Sequence, residues 1–143
     1  MSSADTINVL NRLVGIHNRS LPVYLTYASP AWERGDEAAR EVLANISTDH
    51  TETVDRLAAM IVENGGTVDN GKFPIYYTGY HDLSFDFLLV RMILEQKQDI
   101  TTIEQSITQL ELSPLAKAAA QEALGAAKGH LESLEELKQA SAS

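Results

Sequence analysis

The residues best suited to chemistry in this chain of 143 residues are its histidines, of which there are only four: His17, His50, His81 and His130. Three of them, His17, His50 and His130, fall on the apolar faces of segments whose hydrophobic residues recur with helical spacing. An unpaired polar group inside a core costs several kcal/mol, so buried imidazoles must bind each other, water or an ion. The pattern therefore predicts a polar cluster inside an otherwise apolar core.

All three histidines lie near the middle of their segments, and the middles of antiparallel helices meet at one level. The third segment has its midpoint near Gln96, where a helix would point Gln96 and Asp99 inward and hold Glu95 at the edge of the core. We expect the three imidazoles to bind one transition metal ion, Fe, Zn, Cu or Mn, with Glu95 or Asp99 as a further ligand. The alternative interpretation is a hydrogen-bonded network without a metal.

The hydrophobic pattern predicts an all-α fold in a single domain, residues 1–143, with helices at about residues 5–28, 36–64, 83–110 and 114–139. Pro22 lies inside the first helix and should kink it near Asn18 or end it early, because proline lacks the N–H that the helix needs. Of the two outcomes, we expect one kinked helix. Residues 73–77 look extended, but they form one short segment with no second strand to pair with.

The connections between these helices predict the topology. The first and third connections are short, so each joins an antiparallel pair, whereas the segment at about residues 65–82 has no helical pattern. Eighteen extended residues reach about 60 Å, and a helix of 27 residues is about 40 Å long. The segment can therefore cross the whole bundle, and two hairpins joined by one long crossover loop is the ferritin-like arrangement.

Short motifs in the first and fourth helices resemble those of bacterioferritins and related ferritin-like proteins. His17 occupies the position of the glutamate ligand in the first helix of that family, and Tyr24 follows seven residues later, where the family has a tyrosine. His130 matches the histidine of a Glu-x-x-His motif in the fourth helix, with Ala127 at the glutamate position. The resemblance implies that Tyr24 is a partner of the ligands, and Gln96 lies beside them at the same level.

The second helix resembles the other Glu-x-x-His helix of the family, with His50 at the histidine and Ser47 at the glutamate. An alignment anchored on Gly65 would instead bring Asp49 and Glu52 to the ligand positions. We prefer His50, because Glu52 points almost opposite to the apolar face. Since the bridging glutamates of the family are missing, a single metal bound by histidines is expected rather than a di-iron centre.

Charge and composition restrict the partners. A net charge of −9 at pH 7 argues against binding to nucleic acid or to an anionic membrane. The chain has no cysteine, no apolar run long enough to span a membrane and no visible signal peptide, so we expect a cytoplasmic protein. The resemblance implies a homo-oligomer, with a dimer expected. The alternative to metal binding is a structural or interaction module on the same fold.

Overall fold

The computed structural model describes residues 3–28, 37–80 and 83–142, and this part of the chain is helical without any strand. The predicted all-α class is therefore confirmed. The described residues form five α-helices and one 3₁₀ helix, in the order α1 (Ser3–Asn18), α2 (Leu21–Ala28), α3 (Glu37–Glu63), the 3₁₀ helix (Ile75–Tyr80), α4 (Phe85–Thr108) and α5 (Pro114–Ala142). The predicted helix start at residue 36 and the end of the crossover at residues 81–82 lie outside the described residues.

The first predicted helix is divided in two, so a single kinked helix was the wrong prediction. α1 ends at Asn18 and α2 begins at Leu21. Pro22 has no N–H to donate to the carbonyl of Asn18, and its ring would clash with that carbonyl. Ser20 starts the new helix, because its Oγ accepts a hydrogen bond from the backbone N–H of Val23 at 3.4 Å.

Of residues 73–77, which the sequence predicts to be extended, residues 75–77 instead belong to a 3₁₀ helix at Ile75–Tyr80. A lone strand would leave its backbone groups unpaired, whereas the turn satisfies them locally: the N–H of Tyr77 donates to the carbonyl of Pro74 at 3.0 Å. The side chain of Tyr77 is only 2% exposed, and its ring packs against Tyr24 and Phe73. Burial of this aromatic ring fixes the crossover on the bundle.

The helices pack in pairs around one core. α1 and α2 pack on α3, α4 packs on α5, and α3 also packs on α5. No helix of the described residues has the length and apolar character needed to cross a membrane.

A polar layer, formed by His17, His50, Gln96 and His130, divides this core into two apolar clusters. In α3, in α4, in α5 and in α1 together with α2, the layer residue lies in sequence between a member of one cluster and a member of the other. These flanking pairs are Val14 and Leu21, Ile46 and Leu57, Ile93 and Ile103, and Ala127 and Leu134. The four polar side chains therefore meet at one cross-section of the bundle.

The end of α3 is set by a glycine with positive φ. The N–H of Gly66 donates to the carbonyl of Ile61 at 2.9 Å, and that of Gly65 donates to Val62 at 2.9 Å. This is the Schellman pattern, in which the residue after the helix adopts a left-handed conformation, and Gly65 has φ of 82°.

Replacing Gly65 by alanine should destabilise the fold although there is room for the new methyl group. An added Cβ at Gly65 meets nothing within 4 Å, so the cost arises from the positive φ alone, and we expect a loss of about 1 kcal/mol. Gly125 also has open space around its Cβ but lies inside α5, so Gly125→Ala should add about 0.5–1 kcal/mol. Urea unfolding measures both changes, and equal effects in the two variants would contradict this explanation of how α3 ends.

Candidate functional site

Three imidazole rings lie together in the polar layer. The ring centroids of His17 and His50 are 5.0 Å apart, and those of His50 and His130 are 5.3 Å apart. The three residues are 3%, 5% and 9% exposed, respectively. The rings come from α1, α3 and α5, so residues 17, 50 and 130, which are distant in sequence, share one buried space.

Each ring uses one nitrogen to bond a group outside the cluster. Nδ1 of His17 lies 2.7 Å from the carbonyl oxygen of Leu13, one turn earlier in α1. Nδ1 of His50 lies 3.0 Å from Oγ of Ser20. The third ring, His130, has its Nε2 2.8 Å from Oδ2 of Asp49. The orientation of every ring is thus fixed from outside the cluster.

The break between α1 and α2 supplies one of these outer partners. Ser20 lies between the two helices, where its Oγ can meet both the backbone of Val23 and the ring of His50. In a continuous helix a serine would more often bond the carbonyl one turn earlier in its own helix. The helix break at Pro22 therefore affects the polar layer as well as the backbone, because it places Ser20 beside His50.

One nitrogen of the cluster is left without a partner. Nδ1 of His130 is buried and has no hydrogen bond among the described residues. Because the carboxylate of Asp49 can only accept, Nε2 of His130 donates to it when Asp49 is ionised. In a neutral ring the unpaired Nδ1 then carries a free lone pair.

Burial keeps two of the rings neutral. Burial lowers the pKa of His17 from its ordinary 6.5, and repulsion from His130 lowers it further. The hydrogen bond to the Leu13 backbone partly offsets this by raising the pKa. Burial lowers the pKa of His50 well below 6.5, and repulsion from the other two rings lowers it further. Since the unfolded chain binds these protons more readily, the contribution of these two histidines to stability is full above about pH 6.5 and is lost as the pH falls below it.

Gln96 completes the layer from α4. Its Nε2 donates to the carbonyl of Ala127 in α5 at 2.9 Å, and the residue is 5% exposed. The prediction that Gln96 lies inward at this level agrees with its position.

The two carboxylates predicted as a further ligand lie in a different environment. Oε1 of Glu95 accepts a hydrogen bond from the hydroxyl of Tyr77, and its Oε2 is buried without a partner among the described residues. Asp99 has Glu95 as its charged neighbour and Arg19 as its nearby cation. Neither carboxylate hydrogen-bonds to a histidine ring in the described part of the chain. Tyr24 packs its ring against Phe73 and Tyr77, at 5.1 and 5.3 Å.

Sequence reasoning did not find the outer partner Ser20, and it named Asp49 only in the alternative alignment that also used Glu52. The structure brings Asp49 to His130 and His50 to the centre of the cluster, while Glu52 is exposed on α3. In this register of α3, Asp49 contacts His130 and His50 packs against both of the other rings. His81 lies outside the described residues.

Comparison with models of protein families, with curated proteins and with solved structures gives no match for this chain. Within residues 3–28, 37–80 and 83–142, no three histidine or acidic side chains are arranged so that they could hold a metal ion as they stand.

The charge on Asp99 should destabilise the fold at high pH. Burial, and then the charge of Glu95, raise the pKa of Asp99 from 3.8 to about 7, against the opposing effect of Arg19. The folded protein therefore holds this proton more tightly than the unfolded chain, and stability from Asp99 is lost as the pH rises through 7. We expect Asp99→Asn to be more stable than the parent by about 1–3 kcal/mol at pH 8, with the gain vanishing near pH 4.

Urea unfolding across this pH range tests the expected difference, in which the histidine contributions cancel. Glu104→Gln removes an exposed carboxylate from the same helix and should stay within about 0.5 kcal/mol of the parent at every pH. A gain from Asp99→Asn that does not change with pH would show that burial of the charge is not the cause.

The hydroxyl of Tyr77 should contribute to stability through Glu95. Tyr77→Phe removes the donor and leaves a partly buried carboxylate without its bond, so we expect a loss of about 1–3 kcal/mol. Tyr76 carries the same side chain on the same 3₁₀ helix but is 53% exposed. Tyr76→Phe should therefore change stability by less than about 0.5 kcal/mol, and equal losses in thermal or urea unfolding would contradict the role given to this bond.

Proposed function

We propose that this chain is a ferritin-like four-helix bundle that binds one transition metal ion through His17, His50 and His130. The observation that carries the proposal is the meeting of three buried imidazoles from α1, α3 and α5 in one polar layer. The ferritin-like part of the proposal is supported by the pairing of α1 and α2 with α3 and of α4 with α5, and by the long segment between α3 and α4.

The spacing of the rings suits a shared ion. A metal about 2.0–2.1 Å from a ring nitrogen lies about 3.2 Å from the ring centroid, so two imidazoles at a tetrahedral angle have centroids about 5.2 Å apart. The separations of His17 from His50 and of His50 from His130, 5.0 and 5.3 Å, are close to this value. Rings that pack edge to face keep similar separations, as Tyr24 and Phe73 do at 5.1 Å, so the spacing permits a shared ion without requiring one.

The outer hydrogen bonds also suit ligand imidazoles. A histidine that binds a metal through one nitrogen commonly gives its other N–H to a carbonyl, a carboxylate or another fixed group. The carbonyl of Leu13, the hydroxyl of Ser20 and the carboxylate of Asp49 are partners of these kinds. The low pKa of His17 and of His50 favours the neutral form that a metal requires.

Metal binding requires small movements of the rings, because their nitrogens do not yet converge. The gain from coordination has to offset the strain that these movements place on the outer hydrogen bonds of the rings. A fourth donor from Glu95 or Asp99, a homodimer and a cytoplasmic location stay predictions. Three neutral nitrogen donors suit zinc, copper or iron better than manganese.

The alternative is that the layer acts without a metal. Buried polar groups can fix the register of packed helices, and each ring already has one hydrogen-bond partner. The absence of converged donors in the described residues favours this alternative. It would make the chain a structural or interaction module.

Zinc titration of protein purified without a histidine tag tests the two possibilities. We expect one equivalent of zinc to bind and to raise the free energy of unfolding by about 2.7 kcal/mol when free zinc is 100 times the Kd. The triple change of His17, His50 and His130 to glutamine should abolish this stabilisation. His81→Gln, which removes the fourth imidazole of the sequence, should retain it and controls for zinc bound elsewhere.

Two outcomes would contradict metal binding. The first is the lack of stoichiometric binding and of stabilisation with zinc, iron, copper and manganese. The second is equal zinc binding by the parent and by the triple variant. If the triple variant also keeps its oligomeric state and its partners, the layer serves only to pack the helices.

A further inference from the structure

A carboxylate on the surface reaches His130, the least buried ring of the proposed site. The side chain of Asp49 is 51% exposed, whereas that of His130 is 11% exposed, and the two are joined by the contact of 2.8 Å between Oδ2 and Nε2. The contact links α3 to α5 across 81 positions of sequence. Asp49 therefore acts on the buried cluster while its own charge stays hydrated.

The space around this contact is open between α3 and α5. A cavity of about 360 Å³ is lined by both members of the pair and, in part, by Asn45, Gly129 and Ser133. A Cβ added at Gly129 would meet nothing within 4 Å, so the helices do not close over the pair there. Changes at Asp49 can thus be made without disturbing the apolar clusters.

The direction of the hydrogen bond determines which nitrogen of His130 keeps a lone pair. An ionised carboxylate accepts only, so it holds the proton of a neutral His130 on Nε2 and leaves a lone pair on Nδ1. That Nδ1 is the buried nitrogen without a partner. In the opposite tautomer, Nδ1 would carry the proton and could not bind a metal.

We propose that Asp49 is the positioning residue of the three-histidine site: it orients His130 and fixes the tautomer whose buried Nδ1 keeps a lone pair. This inference rests on the proposed function for its metal-binding consequence, but its effect on the ring is present without a metal. A carboxylate in this position also raises the basicity of the ligand nitrogen, and loss of such a partner typically costs 10–100-fold in metal affinity.

Two substitutions at Asp49 separate orientation from charge. Asp49→Ala removes the acceptor, whereas Asp49→Asn keeps an oxygen that can accept from Nε2 but removes the charge. Asp55→Ala removes an exposed carboxylate from the same helix and is the control. The first readout is the nitrogen-15 spectrum of the histidine rings in metal-free protein at pH 8, which distinguishes a protonated ring nitrogen from one with a lone pair. The second is the zinc Kd.

We expect His130 in the parent to carry its proton on Nε2, and Asp49→Ala to mix or reverse this tautomer while Asp55→Ala leaves it unchanged. Zinc affinity should fall 10–100-fold in Asp49→Ala, less in Asp49→Asn and less than about threefold in Asp55→Ala. Partial rescue by asparagine is the mark of positioning, because loss of charge alone would affect both Asp49 variants equally.

The zinc titration tests the proposed function, and the nitrogen-15 spectrum tests the role of Asp49 independently of it. If the parent binds no zinc, the proposed function is wrong, and the tautomer of His130 in the parent and in Asp49→Ala still decides whether Asp49 positions the ring. A parent ring protonated on Nδ1, or a spectrum that Asp49→Ala leaves unchanged, overturns the inference. So does zinc binding by the parent with the same affinity in Asp49→Ala and Asp55→Ala.

Discussion

The requirement that buried polar groups be satisfied governs the middle of this bundle. Four polar side chains, His17, His50, Gln96 and His130, lie between two apolar clusters that would otherwise form one continuous core. A layer of leucines there would add apolar burial without any need for hydrogen bonds. The chain instead directs a backbone carbonyl, a serine hydroxyl and a carboxylate to the three rings, so that each ring has a fixed orientation.

The local structure around the layer follows from this requirement. Proline at position 22 ends α1, and the break releases Ser20 to bond His50 as well as to start α2. Elsewhere on α4, Glu95 accepts a hydrogen bond from the hydroxyl of Tyr77, which ties the crossover to the bundle, and the charge of Glu95 acts on Asp99. Acidification therefore has opposing effects on the stability of the fold. Protonation of the buried histidines lowers it, whereas protonation of Asp99 removes a buried charge and raises it.

Helix positions could be predicted from sequence because apolar spacing and end signals such as Gly65 are local. The grouping of the three histidines was also predictable, since each lies at the centre of an apolar face in the middle of its helix. Three features were not. The break at Ser20 depended on which of two effects of Pro22 prevailed, the 3₁₀ helix depended on the packing of Tyr77, and the pairing of Asp49 with His130 depends on the contact between α3 and α5. The partners of Glu95 and Asp99 could not be predicted from one helix either, because Tyr77 and Arg19 lie on other elements.

The proposed metal site is tested most directly by anomalous scattering at the zinc edge from crystals grown with one equivalent of zinc. The account predicts a single peak among the three rings, about 2.0–2.1 Å from one nitrogen of each, with Asp49 still on Nε2 of His130. Ordered rings that bond only to protein groups or water, with no peak between them, would contradict it.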